Sequence, residues 1–137
     1  MLSFKLLPHT ADLIIHLEAT SLDELFKAAV FGLVTVLKPD NIIINKKDYE
    51  LNKTVESNNL NLLLVDFLSD ILTIIHIKKG LVSDLVINKL TDFQIDYHLY
   101  LQKVDSFARD VKAISYHNVN ILLNQNNIYE AELIIDI

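Results

Sequence analysis

The chain contains no cysteine and no tryptophan, only two glycines (Gly32 and Gly80) and two prolines (Pro8 and Pro39). Without thiols it can form no disulfide, no thiolate zinc site and no cysteine nucleophile. Two isolated glycines cannot spell G-x-x-x-x-G-K or G-x-G-x-x-G, so the usual glycine-rich phosphate loops are missing and a nucleotide-using enzyme of the familiar kinds is disfavoured. Basic residues are also in short supply, with 12 Lys and Arg against 18 Asp and Glu, a net charge of −6 over 137 residues. An acidic chain repels phosphate backbones, so direct nucleic-acid binding is not expected, and any RNA involved would be held by a partner.

What is abundant is apolar: 51% of residues are hydrophobic and the mean hydropathy is +0.31. Charged residues still make up 22% and are spread along the chain, which points to burial in the core of one domain, residues 1–137. The most apolar stretch, Leu60 to Ile77, is interrupted by Asp66, Asp70 and His76. It therefore falls short of the uninterrupted apolar run of about 20 residues expected of a membrane span. Met1 to Pro8 is too short for a secretory signal, so a cytoplasmic protein without a membrane segment is the expectation.

Phe4 to Glu18 reads as extended chain broken by Pro8 and His9-Thr10. Ser21 and Glu24 have the spacing of a capping box, and Leu22, Leu25, Phe26, Ala29, Leu33 and Val36 follow at helical intervals, predicting a helix over 22–37 stopped by Pro39. Ile42 to Glu56 alternates loosely, as a strand or hairpin would. Ser57, Asn58 and Asn59 are capping candidates for a second helix over 60–77, mostly buried, with one polar stripe of Asp66, Ser69, Asp70, Thr73 and His76. Lys78-Lys79-Gly80 supplies cations for its C-terminal dipole and a left-handed stop at the glycine. Val82–Leu90, Phe93–Leu101, Val111–Leu123 and Ile128–Ile135 are rich in β-branched and aromatic residues. The order β-β-α-β-α-β-β-β-β predicts an α+β domain, two helices packed on a largely antiparallel sheet, with some mixed pairing left open.

Chemistry concentrates in three places. Asp12 opens the run Leu13-Ile14-Ile15, and Asp136 closes Leu133-Ile134-Ile135. If those strands meet, two carboxylates converge at one edge, and the α-carboxylate of Ile137 adds a third anionic oxygen. Such hard ligands suit Ca²⁺, or Mg²⁺ with retained waters, rather than zinc. Equally, an aspartate at a strand edge can be a solvated or turn-capping residue. Lys112, flanked by Val111 and Ala113, would share a strand face with Ile114 and Tyr116, leaving Ala113, Ser115 and His117 on the other. It could neutralise an acid or meet an anionic partner group, or simply snorkel at a sheet edge. The five histidines show no metal-ligand spacing, and His16 and His76 read as core-rim residues. Ser115 and His117 lack a partnered acid, and Asp66 and Asp70 read either as a shared site or as a solvated helix stripe.

Five segments, HTADL at 9–13, SLDELFKAAVFGL at 21–33, LLLVDFLSDIL at 62–72, VKAISYHNVNI at 111–121 and LIIDI at 133–137, together resemble the archease family over nearly the whole chain. That resemblance implies an accessory protein for GTP-dependent RtcB-type RNA ligases, which join a 3′-phosphate or 2′,3′-cyclic phosphate to a 5′-hydroxyl in tRNA splicing and RNA repair. Members promote guanylylation and multiple turnover of the ligase without being enzymes themselves. The family metal site, usually associated with calcium, maps onto Asp12, Asp136 and Ile137, and the activating lysine maps onto Lys112. Two positions depart from the family pattern: Pro8 replaces an acidic residue before HTAD, and Leu101-Gln102 replaces a Gly-Glu pair.

Two rival readings come from other classes. A stand-alone metal-dependent hydrolase would turn over a substrate without a ligase, but no general base or nucleophile is evident. A chaperone-like interaction module would use an exposed apolar patch and leave Asp12 and Asp136 dispensable.

Overall fold

A computed structural model describes residues 1–8 and 12–137, so His9, Thr10 and Ala11 of the HTADL segment lie outside the described residues. The chain runs β1 (Leu2–Pro8), β2 (Asp12–Ala19), α1 (Leu22–Leu37), β3 (Tyr49–Glu56), α2 (Leu60–Lys78), β4 (Gly80–Leu90), β5 (Gln94–Lys103), β6 (Ala113–Ile114), β7 (Leu122–Leu123) and β8 (Tyr129–Asp136). The expected two-helix antiparallel α+β architecture is present. Its strands, however, divide into two sheets, one of five strands ordered β1-β2-β8-β6 with β7 also on β8, and one of three ordered β3-β5-β4. Among the described residues every pairing is antiparallel.

Helix α1 begins where the capping signal places it. The Ser21 hydroxyl accepts from the Glu24 amide at 3.2 Å, which satisfies one of the orphan donors of the first turn. The Glu24 carboxylate accepts from the hydroxyls of Thr20 and Ser21 and from the Met1 amino group, rather than from the Ser21 amide of an ideal capping box. The amino group and the Thr20 hydroxyl hold this carboxyl below its ordinary range. Against β2 the helix packs so closely that a Cβ on Gly32 would stand 3.0 Å from Ile15 Cγ2.

Helix α2 starts at Asn59, whose side chain accepts from the Leu62 amide at 3.0 Å. The left-handed residue after it is Lys79 (φ 52°, ψ 54°), not Gly80 as expected. Gly80 is needed for a different reason: a Cβ there would lie 3.0 Å from the Gln102 carbonyl oxygen, where β4 starts beside β5. Despite Asp66, Asp70 and His76, α2 is long and apolar enough to cross a bilayer by length and hydropathy alone, so the interruptions do not decide the matter. Here it buries Leu63, Leu64, Val65, Phe67, Leu68, Ile71, Leu72, Ile74 and Ile75 in the core. At the centre of that core the Phe67 ring lies 5.4 Å from Phe26 of α1 and 5.0 Å, edge-on, from Tyr97 of β5.

Two segments differ from the expected strands. Residues 42–48 are not a hairpin arm; only Tyr49–Glu56 pairs. The buried Gln102 carboxamide ties this strap down by accepting from the amides of Asn45 and Lys46 at 2.8 Å each and donating to the Ile43 carbonyl at 3.0 Å. The residue at one of the family departures thus has a structural task. The apolar run 111–123 yields two short strands, because the intervening polar Ser115, His117, Asn118 and Asn120 form a turn with Asn118 at φ 59°.

Candidate metal centre

Strand β2 alternates strictly, with Leu13, Ile15, Leu17 and Ala19 buried and Asp12, Ile14, His16 and Glu18 on the outer face. Strand β8 does the same with Ala131, Leu133 and Ile135 buried. Their register sets Asp12 directly opposite Asp136. Cβ atoms of directly opposed residues lie about 5 Å apart, and like charges there are destabilising. A pair of this kind at a strand edge favours a bound cation, and its donors are carboxylate oxygens, which fit a hard divalent ion.

Strand β6 completes the edge. Ala113 pairs with Asp136, and the Lys112 amide donates to the Asp136 carbonyl at 2.8 Å. The sequence-predicted residues Asp12, Asp136, Ile137 and Lys112 are therefore brought to one end of one sheet by two pairings, β2 with β8 across most of the chain and β6 with β8 locally.

The placement of Lys112 differs from expectation in one respect. It precedes the strand rather than lying inside it, and it is exposed, as is Ala113, whereas Val111 and Ile114 are buried. Period-two alternation breaks because only two residues of this run pair with β8. Lys112 and Ile114 do not share a face, and the Lys112 ammonium is open to solvent.

Other candidates resolve into structural roles. Asp66 accepts from Ser57 and from the Tyr116 hydroxyl, and Asp70 accepts from the Tyr97 hydroxyl at 2.6 Å with Lys53 at 3.5 Å. They form neither a shared site nor a merely solvated stripe. Burial first, then the Asp70 carboxylate, drives the Tyr97 phenol far above its usual range, and the Asp66 bond raises that of Tyr116. The Ser115 hydroxyl accepts from the His117 backbone amide at 3.0 Å, a turn contact rather than a nucleophile–base pair. His76 is exposed against Phe107.

His16 is not a core-rim residue either. It lies on the outer face of the sheet, its Nε2 3.1 Å from Glu18 and its Nδ1 3.2 Å from Glu132. Glu130 completes this second cluster. The alternating H-x-E of β2 and E-x-E of β8 were the available signal, but nothing local tells which strands are neighbours.

The profile of the Archease protein family matches residues 4–137. Protein archease of Pyrococcus abyssi is 33% identical over 137 aligned residues, covering 94% of each chain. A solution structure of a Methanobacterium thermoautotrophicum protein superposes with a TM-score of 0.73 at 20% identity, covering 98% of both chains. The crystal structure of a Thermotoga maritima archease, described as a possible chaperone, gives 0.66 at 17% identity, with 97% of this chain and 96% of that one covered. At those identities the two structures speak for the fold alone.

Proposed function

Because this chain belongs to the archease family, we propose that it is a cytoplasmic, metal-binding accessory protein that activates a GTP-dependent RtcB-type RNA ligase. In this reading it promotes guanylylation and multiple turnover of the ligase in tRNA splicing and RNA repair. The observation that carries the reading is the register, which opposes Asp12 to Asp136 and brings Lys112 to the same edge. Asp12, Asp136 and the α-carboxylate of Ile137 would hold Ca²⁺, with Mg²⁺ as the alternative, and the ion would offset the repulsion between the carboxylates. Lys112, exposed beside them, would meet an anionic group of the ligase complex. The net charge of −6 makes the RNA and the nucleotide the ligase's to hold.

The test is multiple-turnover ligation by an RtcB-type ligase with and without this protein. Asp136→Ala should reduce activation by at least about tenfold, since losing even an outer partner of a metal site costs that much. Lys112→Ala should weaken activation while leaving Ca²⁺ affinity intact. A C-terminal extension should impair metal binding where an N-terminal one does not. Full activation by Asp136→Ala would sink the reading.

A chaperone-like role is the second reading, supported by Leu122 and Leu123, which are 55% and 54% exposed side by side on β7. It requires activation to survive Asp136→Ala and to fall in Leu122→Ser. A hydrolase of its own would turn over substrate with no ligase present.

A further inference from the structure

Four residues along the same outer face, about 13 Å from the Asp12–Asp136 edge at 3.3 Å per residue, stands a second cluster. Register opposes His16 to Glu132 and Glu18 to Glu130, the second being another pair of like charges. One ligand atom from each of His16, Glu18 and Glu130 lies within 4.8 Å of the other two, and all three residues are half-buried. A tetrahedral ion with bonds of 2.0–2.2 Å spaces its ligand atoms about 3.3–3.6 Å apart, inside the 4.8 Å within which these three atoms lie.

Two features beyond the acids themselves point to a metal. The imidazole is oriented: Nε2 faces Glu18, while Nδ1 faces the Glu132 carboxylate at 3.2 Å. A carboxylate behind the ring is the usual support of a metal-binding histidine, because it fixes the tautomer and aims the other nitrogen at the ion. Alongside opens a pocket of about 240 Å³ between His16, Glu130, Glu132, Asn118, Asn120 and Leu122, with room for water to complete the coordination. The neighbouring strand places Lys5 opposite His16.

We propose that His16, Glu18 and Glu130 form a site for a divalent transition-metal ion of the zinc type, with Glu132 as a positioning residue. Its nitrogen ligand separates it in kind from the all-oxygen edge at Asp12 and Asp136.

The experiment titrates Co²⁺ into the whole untagged protein, reading its visible absorption and the heat of binding, with Zn²⁺ as competitor. One Co²⁺ should bind with a nitrogen-ligand spectrum, be displaced by Zn²⁺, and broaden the His16 ring proton resonances in the unaltered protein. His16→Gln and Glu130→Gln should each weaken it at least about tenfold, and Glu132→Gln by less. Asp136→Asn should leave it unchanged while removing Ca²⁺ binding, so each site stands or falls alone. Co²⁺ binding that His16→Gln leaves intact would overturn the proposal. So would the absence of any His16 broadening at millimolar Co²⁺, which would leave His16 as a hydrogen-bonding bridge between carboxylates.

Discussion

On the outer face of the three-stranded sheet, acids are set against donors. Asp96 accepts from Thr54 at 2.8 Å and from Gln94 at 3.0 Å, Glu50 contacts His98 at 3.0 Å, and Asp84 pairs with Lys47 at 3.3 Å. Opposed residues there, such as Thr54 with Asp96 and Asn52 with His98, include no pair of acids. The five-stranded sheet sets His16 between Glu18 and Glu132 but also opposes acid to acid, Asp12 to Asp136 and Glu18 to Glu130. Both faces are solvated and acidic, so composition alone does not distinguish them. Pairing does: one face opposes its acids to neutral or basic residues, whereas the other twice opposes acid to acid, an arrangement that gains from a cation.

The comparison can be broken most severely from inside. Both faces hang on one core, so Phe67→Ala, which empties its centre, should cost about 3–5 kcal/mol. Urea unfolding followed by far-ultraviolet circular dichroism should still show a single transition; two transitions would mean that the sheets are stabilised separately.

A smaller effect isolates the three-stranded side. The Tyr97 phenol ionises far more readily unfolded than folded. Its contribution to stability is therefore fully present below pH about 10, the unfolded value, and is lost as the pH rises beyond it. Tyr97→Phe should cost about 1.5–3 kcal/mol at pH 7, through the lost bond to the Asp70 carboxylate. It should also flatten the fall in stability between pH 9 and 11. An unaltered alkaline slope would show that another group controls it.

The smallest effect goes to the heart of the contrast. In chelator, Asp136→Asn should raise the melting temperature slightly, by relief worth a few tenths of a kcal/mol. Asp96→Asn should lower it, since the Gln94 and Thr54 donors hold that carboxyl below its ordinary range. Added Ca²⁺ should stabilise the unaltered protein and Asp96→Asn but not Asp136→Asn. Equal responses from the two substitutions would erase the distinction between the faces.

Local signals carried much of the fold. Ser21, Glu24 and Pro39 bracket α1 within their own few residues, and Asn59 starts α2, although its left-handed stop falls on Lys79 rather than on the expected Gly80. The family motifs likewise named Asp12, Asp136, Ile137 and Lys112 as candidates. His16 was misread because its environment is made by β8, more than a hundred residues away, and Lys112 because burial of Val111 and Ile114 overrode alternation.

By itself, then, the sequence determined the two helices, the strand-rich remainder, the family and an acidic character that disfavours RNA binding. The family follows from the resemblance of five ordered motifs; the rest follows from capping, periodicity and composition, which act over a few residues or over the whole chain at once. Only the tertiary structure decided that the strands form two sheets, that Asp12 faces Asp136, and that Glu18 faces Glu130 beside His16. Strand register is a long-range choice made by packing two buried faces together, and no local residue preference encodes which distant strand will lie alongside.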